Sequence, residues 1–205
     1  MPAVTLLAFQ CAPAWAQNVE QTTAPQASDP AAQYNERGRV AVDGRSVPFL
    51  IRRLPVSSFP QLPAEIAAEL NARGCLIPQT YEAHGPENVI HASLERAGSS
   101  DWAVLCSSHD EVTLIVFFGS APAQPFEIAS AIEGTRLQAH GASNTLGFNW
   151  GIDPATPEQV HEAESGSDLG PASLDHDAVS DSVIEHQTVF HYFTKGRWTV
   201  VEGTE

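Results

Sequence analysis

The chain has 205 residues, enough for one domain with a substantial core plus tails, and its hydrophobic fraction of 42% excludes wholesale disorder. Ten Lys and Arg against 25 Asp and Glu leave a formal net charge of −15. Phosphate-rich partners need basic surface, so nucleic acid and anionic membrane faces are excluded, while a cationic partner or a divalent ion is permitted.

Residues 1–16 read as a signal peptide. Residues 4–9 are an apolar run, and Ala14 and Ala16 put small side chains at the two positions a signal peptidase inspects, with cleavage expected before Gln17. The usual basic region is missing, and Gln10 before Cys11 departs from the small residue a lipoprotein signal requires. The run is too short to span a bilayer as a helix, and no other segment reaches that length. Residues 17–36, rich in Ala, Gln, Thr, Ser and Pro, read as a disordered linker, and 37–205 as a single globular domain.

Within that domain, Val40 to Val42, the pair Asp43-Gly44 and residues 45–51 predict a hairpin, because Asp-Gly tolerates the positive φ of a type I′ turn. Pro48 cannot donate to a ladder, which places its strand at an edge or ends it there. Pro63 suits the start of a helix over 64–73, in which Ile66 and Leu70 form one apolar stripe and Gly74 closes the end. Residues 76–87 read as a loop. The stretch 88–118, NVIHASLERAGSSDWAVLCSSHDEVTLIVFF, holds three apolar runs separated by short polar breaks, which predicts a three-stranded antiparallel meander. Residues 126–132 predict a further strand. Residues 151–175, with Asp153, Glu158, Glu162, Glu164 and Asp168 among prolines, glycines and serines, read as an exposed acidic loop. Residues 177–185 start with a helical turn in this reading, and Thr194-Lys195-Gly196 closes a terminal hairpin. The fold class is α+β: an antiparallel sheet of five to seven strands around the meander, with a helix packed on one face.

Once the leader is removed, two cysteines remain. An even pair in an exported chain reads most simply as a disulfide, Cys75 to Cys106, which would pin the helix end to the sheet and contribute on the order of 3 kcal/mol. Two buried free thiols are the alternative. Neither cysteine lies in a CxxC.

Candidate chemistry is sparse. The turn 93–101 has the outline of the aspartate-rich calcium loop of FG-GAP or VCBS repeats, with Ser93, Glu95 and Asp101 as ligands, but Ala97 replaces one ligand outright and calcium wants six to eight oxygens. A hairpin turn whose Asp101 bonds nearby backbone is the plainer reading. The densest cluster of ligand types is Asp175, His176, Asp177 and Asp181, with Glu185 and His186 downstream; surface polar residues at a strand entrance are the plainer reading there. No GxSxG, HExxH, GxGxxG or P-loop is present, so neither a nucleophile nor a phosphate cradle is evident, and no cofactor is expected beyond a divalent cation. Trp102 and Trp198 read as core, and Trp150, between Asn149 and Gly151, as an exposed ring able to touch a ligand.

The segments RGCLIPQ (73–79), NVI (88–90), DWAVLCS (101–107) and KGRW (195–198) resemble those of a family of exported bacterial proteins. The resemblance runs from about Leu62 to Val201, skips the acidic loop, and implies a compartment but no catalytic residue. The expectation is therefore an extracytoplasmic, periplasmic or secreted, non-catalytic domain that binds a protein or a surface ligand. The alternative is an exported metal-dependent hydrolase using the acidic His/Asp region 153–186.

Overall fold

The computed structural model of the chain describes residues 30–141, 144–165 and 174–203; the expected signal peptide, most of the expected linker and residues 166–173 of the expected acidic loop lie outside them. After a 3₁₀ turn (Pro30–Tyr34), β1 (Glu36–Val42) and β2 (Arg45–Pro55) form the predicted hairpin. Asp43 and Gly44 both have positive φ, 49° and 74°, as a type I′ turn demands. Pro48 sits opposite Arg39 without ending the strand: β2 runs on and, from Arg52, pairs with β3 (Leu76–Gln79), where a loop was expected. Helix α1 (Ala64–Ala72) starts directly after Pro63, buries Ile66 and Leu70, and ends at Gly74, whose φ is +71°.

The meander is present as β4 (Val89–Ala92), β5 (Asp101–Ser108) and β6 (Glu111–Phe117), and β7 (Phe126–Ile132) adds to it. With β8 (Leu137–Ala139) and β9 (Leu146–Phe148) the sheet reaches nine strands, in the order β7-β6-β5-β3-β2-β9-β8, with β1 on β2 and β4 on β5. The β2–β9 pair is parallel, so the sheet is mixed. A second, four-stranded antiparallel sheet follows: β10 (Trp150–Ala155), β11 (Ala178–Val183), β12 (Gln187–Thr194) and β13 (Arg197–Glu202). Helix α2 (Pro157–Ser165) stands between β10 and β11 in the chain. The expected single antiparallel sheet of five to seven strands is thus a mixed sheet of nine strands and a second sheet of four. The acidic loop is corrected to β10 and α2 over its described part, and the helical turn at 177 to strand β11.

The layering follows from side-chain parity in β5. Trp102, Val104 and Cys106 point to α1, packing with Phe59, Ile66, Leu70 and Phe117. Ala103 and Leu105 point the other way, to Ile152, Val179 and the ring of Trp150 on the second sheet. Alternation along a strand sends successive residues to opposite faces, and both faces here are covered. The second sheet is covered on its far side by α2, through Val160, Ala163, Phe190, Tyr192 and Val201. The order of layers is α1, nine-stranded sheet, four-stranded sheet, α2. Cys75 and Cys106 are bonded, with Cα atoms 5.0 Å apart, and join the end of α1 to β5. Among the described residues no helix is long and apolar enough to cross a membrane.

Candidate functional site

Several of the residues singled out in the sequence lie along the seam between the two sheets, each with its own partners. Asp101 opens β5 and is fully buried. Its Oδ2 accepts the backbone N–H groups of Leu94 and Glu95, each at 2.8 Å, together with the Ser99 hydroxyl; its Oδ1 accepts the N–H of Gly119 at 2.8 Å. The carboxylate accepts donors from three parts of the chain, so the turn 93–101 is closed around Asp101. Gly119 has to be glycine: an added Cβ would lie 2.4 Å from the Ser100 carbonyl oxygen. Glu95 turns outward to Arg96 and to the hydroxyl of Ser120.

The second cluster docks onto the first. Asp177 accepts the N–H of Ser93 at 2.9 Å through its carboxylate, and donates its own N–H to the Ser93 carbonyl at 2.9 Å. His176 is held between the carboxylate of exposed Asp175, 3.1 Å away, and the carbonyl of Phe193, 2.9 Å away. Asp181, on β11, turns into the seam: it accepts the indole N–H of Trp150 at 2.6 Å and lies 2.9 Å from Nε2 of His191. Trp150 is fully buried rather than exposed, with the Arg136 guanidinium 4.3 Å above its ring. The flanking Asn149 and Gly151 are in or beside paired strands, and the ring fills the space between the sheets. Asp175, His176, Asp177 and Asp181 therefore serve different partners, and among the described residues no three His, Cys, Asp or Glu side chains converge in a metal-binding arrangement.

Asn88 completes this seam. It is buried, adopts φ of 67°, donates from Nδ2 to the carbonyls of Pro78 and Trp150, and accepts the N–H of Ile152. Asparagine tolerates the left-handed region better than most residues, and its short amide supplies both a donor and an acceptor. It ties the first sheet to the first strand of the second.

Three features were missed in the sequence. The first is a buried ion cluster: Arg53 bonds Glu36 and Glu133, and Glu133 also accepts the Ser107 hydroxyl at 2.8 Å. Burial pulls the Arg53 guanidinium down, but the hydrogen bonds and charges of Glu133 and Glu36 outweigh it and hold the group above its ordinary value. The second is Tyr192, whose hydroxyl donates to buried Glu164 on α2; burial first, then that carboxylate, push the phenol up to about 12. The third is a corner of aromatic rings. Phe118, Phe126, Phe193 and Trp198 lie with centroids 4.9–6.3 Å apart, where β7 and β13, the outermost strands of the two sheets, come together. Phe126 is 37% exposed and Val200, on the same face of β13 as Trp198, is 50% exposed. For the pairs Ser107–Glu133, Glu164–Tyr192 and Arg53–Glu133 nothing local in the sequence flags the contact, because the partners are 26 to 80 residues apart.

Cavities lie away from the seam. One of about 280 Å³ is lined by Arg52, Arg53, Leu54, Gln79, His84 and Pro86 among others. Comparison with protein families, with characterised proteins and with solved structures gives no match for this chain.

Proposed function

We propose that this chain is an exported, non-catalytic binding domain that presents the aromatic corner to a protein partner. The observation that carries the reading is the combination at that corner of half-buried rings, the exposed apolar side chains Phe126 and Val200, and two outermost strands without a second neighbour among the described residues. Exposed rings beside unpaired strand edges suit an extended segment with apolar side chains at alternate positions, which adds main-chain hydrogen bonds to side-chain burial. The only acid on β7, Glu127, is tied to Arg73 at 2.5 Å, so the edge is less guarded than its acidic surroundings suggest. The disulfide and the leader-like residues 1–16 support the extracytoplasmic compartment.

The test places a photoreactive phenylalanine analogue at position 126 or 200, and at Glu65 of α1 as a control, in cells that export the protein. A discrete protein adduct from 126 and 200, lost on Val200→Glu and missing at 65, is the expected result. Equal labelling at all three positions, or none, would overturn the proposal.

A further inference from the structure

Beyond the aromatic corner, the structure holds a second concavity whose chemistry differs from the rest of this acidic molecule. The cavity of about 280 Å³ is bounded by Arg52, Arg53 and Leu54 of β2, by Gln79, and by the loop that carries Ala83, His84, Gly85 and Pro86, with Asn35 at its side. No aspartate or glutamate lines it, although the chain carries 25 of them against ten lysines and arginines.

The two guanidinium groups are not equivalent. Arg53 is neutralised by Glu36 and Glu133. Arg52 is partly buried and bonds through Nη2 to the carbonyls of Thr80, at 2.6 Å, and Ala83, at 3.0 Å. Both acceptors are neutral, and among the described residues Arg52 forms no salt bridge. Those two bonds hold Nη2 against the loop and leave the guanidinium's charge without a salt bridge among the described residues. A half-buried cation of this kind is complementary to an oxyanion. Leu54, Ala83 and Pro86 supply apolar wall beside it.

We propose that this cavity is a binding site for a small monocarboxylate with an apolar body, its carboxylate on Arg52 and its hydrocarbon against Leu54, Ala83 and Pro86. Three observations select that class. The volume lies at the lower end of what small-molecule sites enclose, so the ligand is compact. One uncompensated positive charge matches one negative charge. A dianionic phosphate would meet in addition the nearby carboxylates of Glu36 and Glu133 that already hold Arg53, in a chain of net charge −15.

Hexanoate, hexanol and inorganic phosphate, each titrated into the isotope-labelled protein and followed by amide chemical shifts, test the assignment. Hexanoate is expected to shift the amides of Arg52, Ala83, His84 and Gly85 saturably, at least ten-fold more tightly than hexanol or phosphate. Arg52→Gln, which removes the charge but keeps an N–H donor for the loop carbonyls, is expected to weaken hexanoate at least five-fold while leaving the amide spectrum elsewhere unchanged. Equal affinity for hexanol would reduce the site to a nonspecific apolar cleft, and equal affinity for phosphate would refute the monoanion assignment. Absence of saturable shifts with hexanoate in the unsubstituted protein would overturn the proposal whether or not the variant folds.

Discussion

Replacing Asp101 separates a structural clasp from an ion loop. In Asp101→Ala the N–H groups of Leu94, Glu95 and Gly119 lose their common acceptor; Asp101 and Leu94 are fully buried, Glu95 is half-buried and Gly119 is exposed. A buried donor left without a partner costs about 1–3 kcal/mol, while water reaching the outer two amides and relaxation of the turn recover part of the sum, so the expected loss is about 2–4 kcal/mol. Asp101→Asn keeps one oxygen acceptor but no charge, and its amide nitrogen would face donors, so about 2 kcal/mol is expected. Urea unfolding followed by tryptophan fluorescence reads both; with a slope of about 2–3 kcal/mol/M the alanine variant's midpoint falls by about 1–2 M. The same curves are taken with a chelator and with millimolar calcium. A ligand bound by the folded state alone stabilises by mass action, by about 2.7 kcal/mol at a hundred-fold excess over its dissociation constant. The clasp predicts no calcium effect in either protein. A loss below about 1 kcal/mol in Asp101→Ala, or a calcium-dependent midpoint that Asp101→Ala abolishes, would refute the reasoning.

Two further outcomes follow from named contacts. Replacing both Cys75 and Cys106 by alanine opens a loop with a sequence separation of 31, and the chain-entropy argument gives a loss of about 3–4 kcal/mol by urea unfolding; two labels added by a thiol reagent to the denatured but unreduced exported protein would contradict the bond. Tyr192 holds its proton more tightly folded than unfolded, at about 12. Its contribution is complete below the unfolded value of about 10 and is lost as pH rises from there toward 12, by up to about 2–3 kcal/mol. Tyr192→Phe is expected to remove that part of the alkaline destabilisation, and an unchanged difference between neutral and alkaline unfolding would contradict it.

Much of the local structure was legible. Asp43-Gly44 and Lys195-Gly196 each place both turn residues at positive φ, and turn chemistry of that kind acts over two residues, so the chain itself specifies it. Helix α1, with Pro63 before it, Gly74 after it and Ile66 and Leu70 four apart, is likewise a local pattern. A stronger signal was present and undervalued: residues 102–106 of β5 are uninterrupted apolar sequence, and the apolar run 114–117 of β6 is similar. Continuous rather than alternating hydrophobicity marks a strand covered on both faces, which is what α1 and the second sheet do. The error at residues 157–165 has a different cause. Helix α2 has acids, a serine and just Val160, Ala163 and the aliphatic part of Glu164 to bury, so its propensity is slight and its packing against Phe190 and Tyr192 decides the outcome.

What the sequence by itself determined is therefore the turns, the first helix, the meander and the pairing of Cys75 with Cys106. Each depends on residue types at fixed short spacings or, for the disulfide, on there being just two cysteines after residue 16. What only the tertiary structure decided is the use of the polar residues. Asp101 follows the plainer reading, a turn closed on nearby backbone, whereas Asp177 and Asn88 find partners where the second sheet meets the first, and Asp181 and His176 find theirs within the second sheet. Trp150 moved from an expected exposed ring to the centre of the seam between the two sheets. A polar side chain's role depends on which donors and acceptors the fold brings within about 3 Å of it, and that distance is not written in sequence spacing.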